Sequence, residues 1–297
     1  MHHTRRTWLA PRLADRLGAR QARRTADLVG LHGLLHRDVP DEQRRAGLAF
    51  LAEAADLGVL HAEDAELHAE DAGLLGEAPL EELRAALRGE FAADGPDTAD
   101  RRWAEVRRAF AQGRIGTAAE AAALTWRWRG GAFPRLVVTV GPSSSGKSTF
   151  ARSLPGVRTV VCLDDLRRER GSRADQRANR EVLGEGLDRL DAALADAAPD
   201  GGTVVWDATC LNRHQCSLVH AVARRRDALV THAVWRLDED SLARRNADRD
   251  HPVPPAVLGG QVRRYEPPYP GEAHRTWYVA ADGHVRDRAG ALHDEED

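Results

Sequence analysis

A chain of 297 residues that is 42% hydrophobic and 30% charged, with a net charge of only −3, can bury a real core in one large or two ordinary domains. It carries neither the global basic field of a nucleic-acid-coating protein nor the acidic excess of a disordered tail, so any polyanion site must be local. Cys162, Cys210 and Cys216 are odd in number and lack CxxC spacing, which argues against a disulfide framework or structural zinc. Arginines also break every apolar run of the opening MHHTRRTWLAPRLADRL, so secretion and membrane spanning are not expected and a reducing cytoplasm is.

Residues 1–130 are rich in Ala, Leu, Arg and Glu with apolar residues at helical spacing and few β-branched runs, which predicts an all-helical domain. Breaks fall at Val39-Pro40-Asp41 and at Asp94-Gly95-Pro96-Asp97. The stretch Arg129-Gly130-Gly131-Ala132-Phe133-Pro134 reads as a linker. From there to 297 short β-branched runs alternate with helical segments, the pattern of an α/β domain with a parallel sheet flanked by helices. Expected strands are Leu136 to Val140, Thr159 to Leu163, Thr203 to Trp206, Leu229 to Trp235 and Thr276 to Val279. Helices are expected to begin near Gly146, Gln176, Arg213 and Asp238.

The first strand feeds Gly141-Pro142-Ser143-Ser144-Ser145-Gly146-Lys147-Ser148-Thr149, which matches GxxxxGK[ST] between a strand and a helix. Such a P-loop cradles nucleotide phosphates on backbone N–H groups, brings Lys147 to the β- and γ-phosphates and sets Ser148 on Mg²⁺; ATP is the expected nucleotide. Of the 43 basic residues, 42 are arginine and one, Lys147, is lysine. A chain that uses arginine wherever either cation serves retains lysine where a compact ammonium is required.

A P-loop alone does not separate kinases from other nucleotide hydrolases, so the acceptor side matters. The second strand runs into Cys162-Leu163-Asp164-Asp165-Leu166-Arg167. That places Asp164 at the carboxyl edge of the sheet with Arg167 about one helical turn on, where a carboxylate can take a hydroxyl proton and an arginine can hold an anionic acceptor. Helix capping by Asp164 or Asp165 is the competing explanation. The third strand delivers Asp207 to the same edge, suited to the Mg²⁺ hydration shell or to bracing Arg167, or else to capping the next helix. Trp206 beside it is expected in the sheet, and Thr209 and Asn212 as turn formers. In Asp238 to Arg249 an acidic start and basic end fit a helix dipole; Arg245 and Arg249 are candidates for a lid on the donor phosphates.

Residues 136 to about 279 resemble the kinase domain of the polynucleotide 5′-hydroxyl kinases, including the end-healing modules of bacterial RNA repair. The resemblance rests on GPSSSGKSTFA, DDLR, VVWDAT and RRNADR in that order. It implies Asp164 as general base, Arg167 on an acceptor phosphate, Arg249 as the lid residue, ATP and Mg²⁺ as cofactors, and a 5′-hydroxyl nucleic-acid end as acceptor. Val253 to Leu258 and Arg263 to Pro268 are similar to that family's closing segment, while Cys210 stands where the family commonly has asparagine. Arg167, Arg168 and Arg170 are expected near the mouth of the acceptor groove. Small-molecule kinases acting on antibiotics or sugar nucleotides share the scaffold, and a non-catalytic ATP-binding switch is a third reading. In the helical half, 28–33 and 54–58 are similar to the latter part of HD phosphohydrolase domains. An adjacent His-Asp dyad is absent, since His36-Arg37-Asp38 does not supply it. This half is therefore read as a non-catalytic remnant or the end of a longer reading frame, with His61 and His68 as surface residues.

Overall fold

The computed structural model describes residues 79–111, 114–170, 179–235, 237, 239–249, 251–265, 268 and 272–293. The HD-like stretches 28–33 and 54–58, the break at 39–41 and the histidines His36, His61 and His68 lie outside them. The chain divides into two compact units, one of Met1–Gly130 with Tyr269–Arg275 and Ala289–Asp297, the other of Gly131–Pro268 with Thr276–Arg288.

The described part of the first unit up to Gly130 is helical: α1 (Pro79–Phe91), α2 (Pro96–Ala111) and α3 (Ala118–Leu124), with short 3₁₀ turns at Ala92–Asp94 and Trp126–Trp128. Leu83, Leu87 and Phe91 recur at i, i+4 and i+8 on α1 and are buried with Trp103, Val106 and Phe110 of α2. The Asp94-Gly95-Pro96 break works as expected: Gly95 takes φ +76 and Pro96 opens α2. Thr117 and Glu120 form a capping box at the start of α3, and the backbone N–H groups of Gly116 and Thr117 hold the Glu120 carboxyl below its usual range. The segments that return late in the sequence are tied in by buried polar bonds. Arg275 Nη1 lies 3.0 Å from Asp100 Oδ2 and 2.7 Å from Asp97 Oδ1, while the Leu292 N–H donates to Asp100 Oδ1 at 2.9 Å.

The second unit is built on a six-stranded sheet: β1 (Arg135–Val140), β2 (Val157–Cys162), β3 (Thr203–Asp207), β4 (Leu229–Trp235), β5 (Arg275–Val279) and β6 (Val285–Ala289), in the order β2-β3-β1-β4-β5-β6. The β2–β3, β3–β1 and β1–β4 pairs are parallel, with Leu136 opposite both Val204 and Val230. Helices α4 (Lys147–Ser153), α5 (Leu163–Glu169), α6 (Asn179–Ala197), α7 (Arg213–Arg225), α8 (Glu239–Ala247) and α9 (Pro255–Arg264) flank it. A P-loop after β1, with β3 and β4 on either side of that strand, is a P-loop kinase fold. Near-continuous apolar runs in β1 and β4 are buried along almost their whole length, as strands covered on both faces must be.

The expected strand at Thr159 to Leu163 instead begins at Val157, with a register shift between Val157 and Thr159, and ends at Cys162, because Leu163 already opens α5. The edge strand β6, Val285-Arg286-Asp287-Arg288-Ala289, has no apolar signature; charge on an edge strand protects an open hydrogen-bonding row. A connection as short as Ala280 to His284 requires β5 and β6 to be antiparallel, and Gly283 at φ +86 makes the turn. No helix among the described residues is long and apolar enough to cross a membrane.

Candidate functional site

The parallel strands β1, β2 and β3 end at one edge, and there the chain supplies the P-loop, Asp164 and Asp207. Together with α8, the segment between α8 and α9, and α9 they line a cleft of about 1420 Å³. It is lined by Ser143, Ser144, Gly146, Lys147, Ser148, Thr149, Asp164, Arg167, Asp207, Arg245 and Arg249, among others. Of the sequence-derived candidates, Gly141 and Ser145 of the P-loop and the outer arginines Arg168 and Arg170 do not line it. Gly141 packs beneath the loop, where a Cβ would sit 3.2 Å from Ser145 Oγ and from Trp235 Cβ. Buried Ser145 braces the turn by donating from Oγ to the Pro142 carbonyl at 2.9 Å.

Gly146 takes φ +102, a backbone conformation that favours glycine, and Arg245 Nη2 lies 3.0 Å from where a Cβ would stand. Lys147 is buried, and its Nζ donates to the Pro142 carbonyl at 2.5 Å and to Ser145 Oγ at 3.4 Å. Burial lowers its pKa to about 8, against the opposing pull of Asp207 and Asp164. The ammonium is thus poorly solvated before any phosphate arrives.

At the head of α5 Arg167 Nη1 donates to Asp164 Oδ1 at 2.7 Å, one turn apart as the spacing predicts. Asp164 is half exposed to the cleft. It lies inside the first turn and the N-cap is Cys162, so capping does not account for it. Asp207 is buried at the end of β3; α7 is capped instead by Asn212, whose side chain accepts from the Gln215 N–H at 3.0 Å. Trp206 is buried in the sheet as expected. Ser148 and Asp207 offer a hydroxyl and a carboxylate on one cleft, an all-oxygen pair of the kind Mg²⁺ uses alongside substrate phosphates and water.

Two expectations need correction. Arg168 pairs with Asp165, and Arg170 with Glu181 and Glu185, and neither lines the cleft; neighbouring carboxylates claim both guanidiniums. Arg249 is not on α8, the helix expected to act as a lid, because α8 ends at Ala247; it sits in the loop beyond, where Nη1 donates to Ser144 Oγ at 3.2 Å. Arg245 is on α8, and its Nη1 donates to the Ala281 carbonyl at 2.5 Å while the guanidinium lies over Gly146. Cys210 adopts φ +24, a left-handed conformation that asparagine tolerates better than cysteine, so the turn after β3 is strained. Burial raises the Cys162 thiol to about 12, and a hydrogen bond with Cys216 together with burial raises Cys210 well above its ordinary value; neither is a nucleophile at pH 7.

Sequence reasoning missed several polar groups here. Gln261 of α9 accepts from the Ser143 N–H at 2.7 Å, and Asn246 of α8 accepts from the Ser144 hydroxyl at 3.0 Å. Gln215 accepts from the Leu211 N–H at 2.7 Å. Asn246 sits inside the RRNADR run that was read only for its arginines. Gln261 falls between the two blocks of the closing segment, where no spacing rule singles out a carboxamide.

A protein-family model described as an AAA domain matches residues 136–268. No curated protein matches the chain. Among solved structures the chain is similar to a gluconokinase from Sinorhizobium meliloti, with 21% identity over 50% of this chain and 83% of that one at a TM-score of 0.37. It is also similar to a sugar kinase from a Janibacter species, with 18% identity over 50% of this chain and 86% of that one at a TM-score of 0.35.

Proposed function

We propose that the protein is an ATP-dependent kinase that transfers the γ-phosphate to the 5′-hydroxyl end of a polynucleotide. The observation that carries this reading is one cleft holding a P-loop, a carboxylate–arginine pair and four further arginines. Its walls set Lys147, Arg152, Arg167, Arg245, Arg249 and Arg264 against Asp164, Asp207 and Asp248. That is a local cationic excess in a chain with net charge −3, and it suits an acceptor that is itself anionic. The volume of about 1420 Å³ exceeds the roughly 300–1,000 Å³ of ordinary small-ligand pockets, which leaves room for a strand end beside the nucleotide.

In this reading the acceptor oxygen attacks the γ-phosphorus, the bond from that phosphorus to the β,γ-bridging oxygen breaks, and ADP leaves. The hydroxyl proton passes to Asp164, whose orientation is held by Arg167 at 2.7 Å. Lys147 and Arg249 hold the donor phosphates, and Arg167 bears the anionic part of the acceptor. Mg²⁺, held through Ser148 and the hydration shell of Asp207, would neutralise charge on the donor phosphates. Activity does not require the helical unit in this reading, and no role in catalysis is assigned to it.

Acceptor competition tests the proposal. Single-stranded RNA and DNA oligonucleotides with 5′-hydroxyl ends are to be offered with Mg²⁺ and γ-labelled ATP against gluconate, other sugars and 5′-phosphorylated oligonucleotides. Labelling of the 5′-hydroxyl oligonucleotides alone is the expected result. Labelling of a sugar alone would assign the cleft to a small-molecule acceptor, and ATP binding without transfer to anything would make the domain a nucleotide switch.

A further inference from the structure

We infer that Asn246 is a positioning residue for the donor phosphates: its carboxamide shapes the loop that carries Arg249 and, through the Ser144 hydroxyl, seats that arginine on the P-loop. The inference rests on the kinase reading only in assigning Arg249 to the γ-phosphate.

Helix α8 ends at Ala247, so the chain must turn back if Arg249 is to reach the P-loop. Asn246 makes that turn by imitating a backbone amide. Its Nδ2 donates to the Val253 carbonyl at 2.8 Å and its Oδ1 accepts from the Val253 N–H at 2.9 Å, closing the loop from 246 to 253 at its base. The same Oδ1 accepts from Ser144 Oγ at 3.0 Å, and that hydroxyl in turn accepts from Arg249 Nη1 at 3.2 Å. Ser144 stands at φ +67, a backbone conformation that sends its side chain toward α8 rather than along the loop. Asn246 is 7% exposed, so its polar atoms depend on these partners.

Only a carboxamide meets this set of demands. Aspartate lacks the donor for the Val253 carbonyl, and leucine lacks both functions. Pairing with the N–H and C=O of one residue also settles which end of the amide is oxygen. The preceding P-loop residue is tied to α9 by Gln261, whose carboxamide oxygen accepts from the Ser143 N–H at 2.7 Å. Asn246 therefore acts on the phosphates through Arg249 and Ser144 and need not touch the nucleotide itself.

The test is a double-mutant cycle on nucleotide discrimination in the full-length protein, which needs no acceptor. Affinities for ADP and for a non-hydrolysable ATP analogue, each with Mg²⁺, are measured by calorimetry for wild type, Asn246→Ala, Arg249→Ala and the double variant. Each single change is expected to lower the analogue-to-ADP affinity ratio about tenfold or more, as loss of a charge-assisted bond to the γ-phosphate does, and the double variant to fall no further than Arg249→Ala. A merely structural role would weaken both nucleotides alike. An unchanged ratio in either single variant, or additive losses in the double variant, would overturn the inference. Should Asn246→Ala not fold, Ser144→Ala removes the bridging hydroxyl and leaves the Asn246–Val253 pairing in place; an unchanged ratio there is equally fatal. Labelling of 5′-hydroxyl ends is scored separately, so the acceptor assignment and this inference can fail independently.

Discussion

Lys147 Nζ donates to the carbonyl of Pro142 at 2.5 Å, so the single lysine of the chain is anchored to its own loop. Burial pushes its pKa down to about 8 from an ordinary value of 10.5. Between those two values the unfolded chain holds a proton that the folded lysine has released, so this group's contribution to stability rises with pH across that window. Phosphates favour the charged form, and nucleotide binding above pH 8 must therefore take up a proton. ATP affinity is expected to fall as the pH rises past about 8. Calorimetry at pH 8.5 in two buffers of different ionisation enthalpy should show proton uptake; equal apparent enthalpies would show that the lysine is not the titrating group.

Asp164→Asn keeps the shape of the acceptor carboxylate and removes its basicity. Transfer is expected to slow by roughly 10²–10⁴-fold, the usual scale of general-base catalysis, with ATP affinity within about threefold of wild type because the residue faces the acceptor. Single-turnover rates and nucleotide titrations separate the two effects. Comparable loss of both would remove Asp164 from the role of base.

Asp100 is buried and accepts from Arg275 at 3.0 Å and from the Leu292 N–H at 2.9 Å, partners that are distant in sequence but belong to its own unit. Asp100→Ala takes one of two carboxylates from the partly buried Arg275, which keeps Asp97 at 2.7 Å, and takes the acceptor from the buried Leu292 N–H, so a loss of about 1–3 kcal/mol is expected. Denaturant unfolding of the full chain measures it; a loss below about 1 kcal/mol, the scale of an exposed pair, would contradict the buried assignment.

Gly186 sits inside α6, where exchange to alanine ordinarily stabilises a helix by roughly 0.5–1 kcal/mol. Here a Cβ would lie 2.5 Å from Leu163 Cδ2 and 3.1 Å from the buried Trp206 ring. Overpacking costs about 1–3 kcal/mol, so Gly186→Ala is expected to lower the melting temperature despite the gain in propensity. A higher melting temperature would mean that Leu163 and Trp206 yield more readily than their packing indicates.

The parallel strands were legible because β-branched runs such as Leu136 to Val140 and Leu229 to Trp235 are buried on both faces and need no periodicity to stand out. The meeting of the P-loop, Asp164 and Asp207 on one cleft was legible because each follows a strand end, whereas Arg249 was expected on a helix that stops two residues short of it. Strand β6 was hidden by the charge that an edge strand carries. The carboxamides of Asn246 and Gln261 were hidden because their partners, Val253, Ser144 and Ser143, are set by loop closure in three dimensions. The difference is physical: local periodicity and strand-end chemistry are written in the sequence, whereas a buried amide's role is known only once its donors and acceptors are in place.

The central claim, phosphoryl transfer to a 5′-hydroxyl strand end, is tested most directly by where the label goes. After reaction of a 5′-hydroxyl RNA or DNA oligonucleotide with γ-labelled ATP, digestion to mononucleotides is expected to release all label as the 5′-mononucleotide of the first residue. Lys147→Ala and Asp164→Ala controls are expected to leave the oligonucleotide unlabelled. An unlabelled oligonucleotide with the wild-type protein, or label that survives equally in the Asp164→Ala control, would contradict the account.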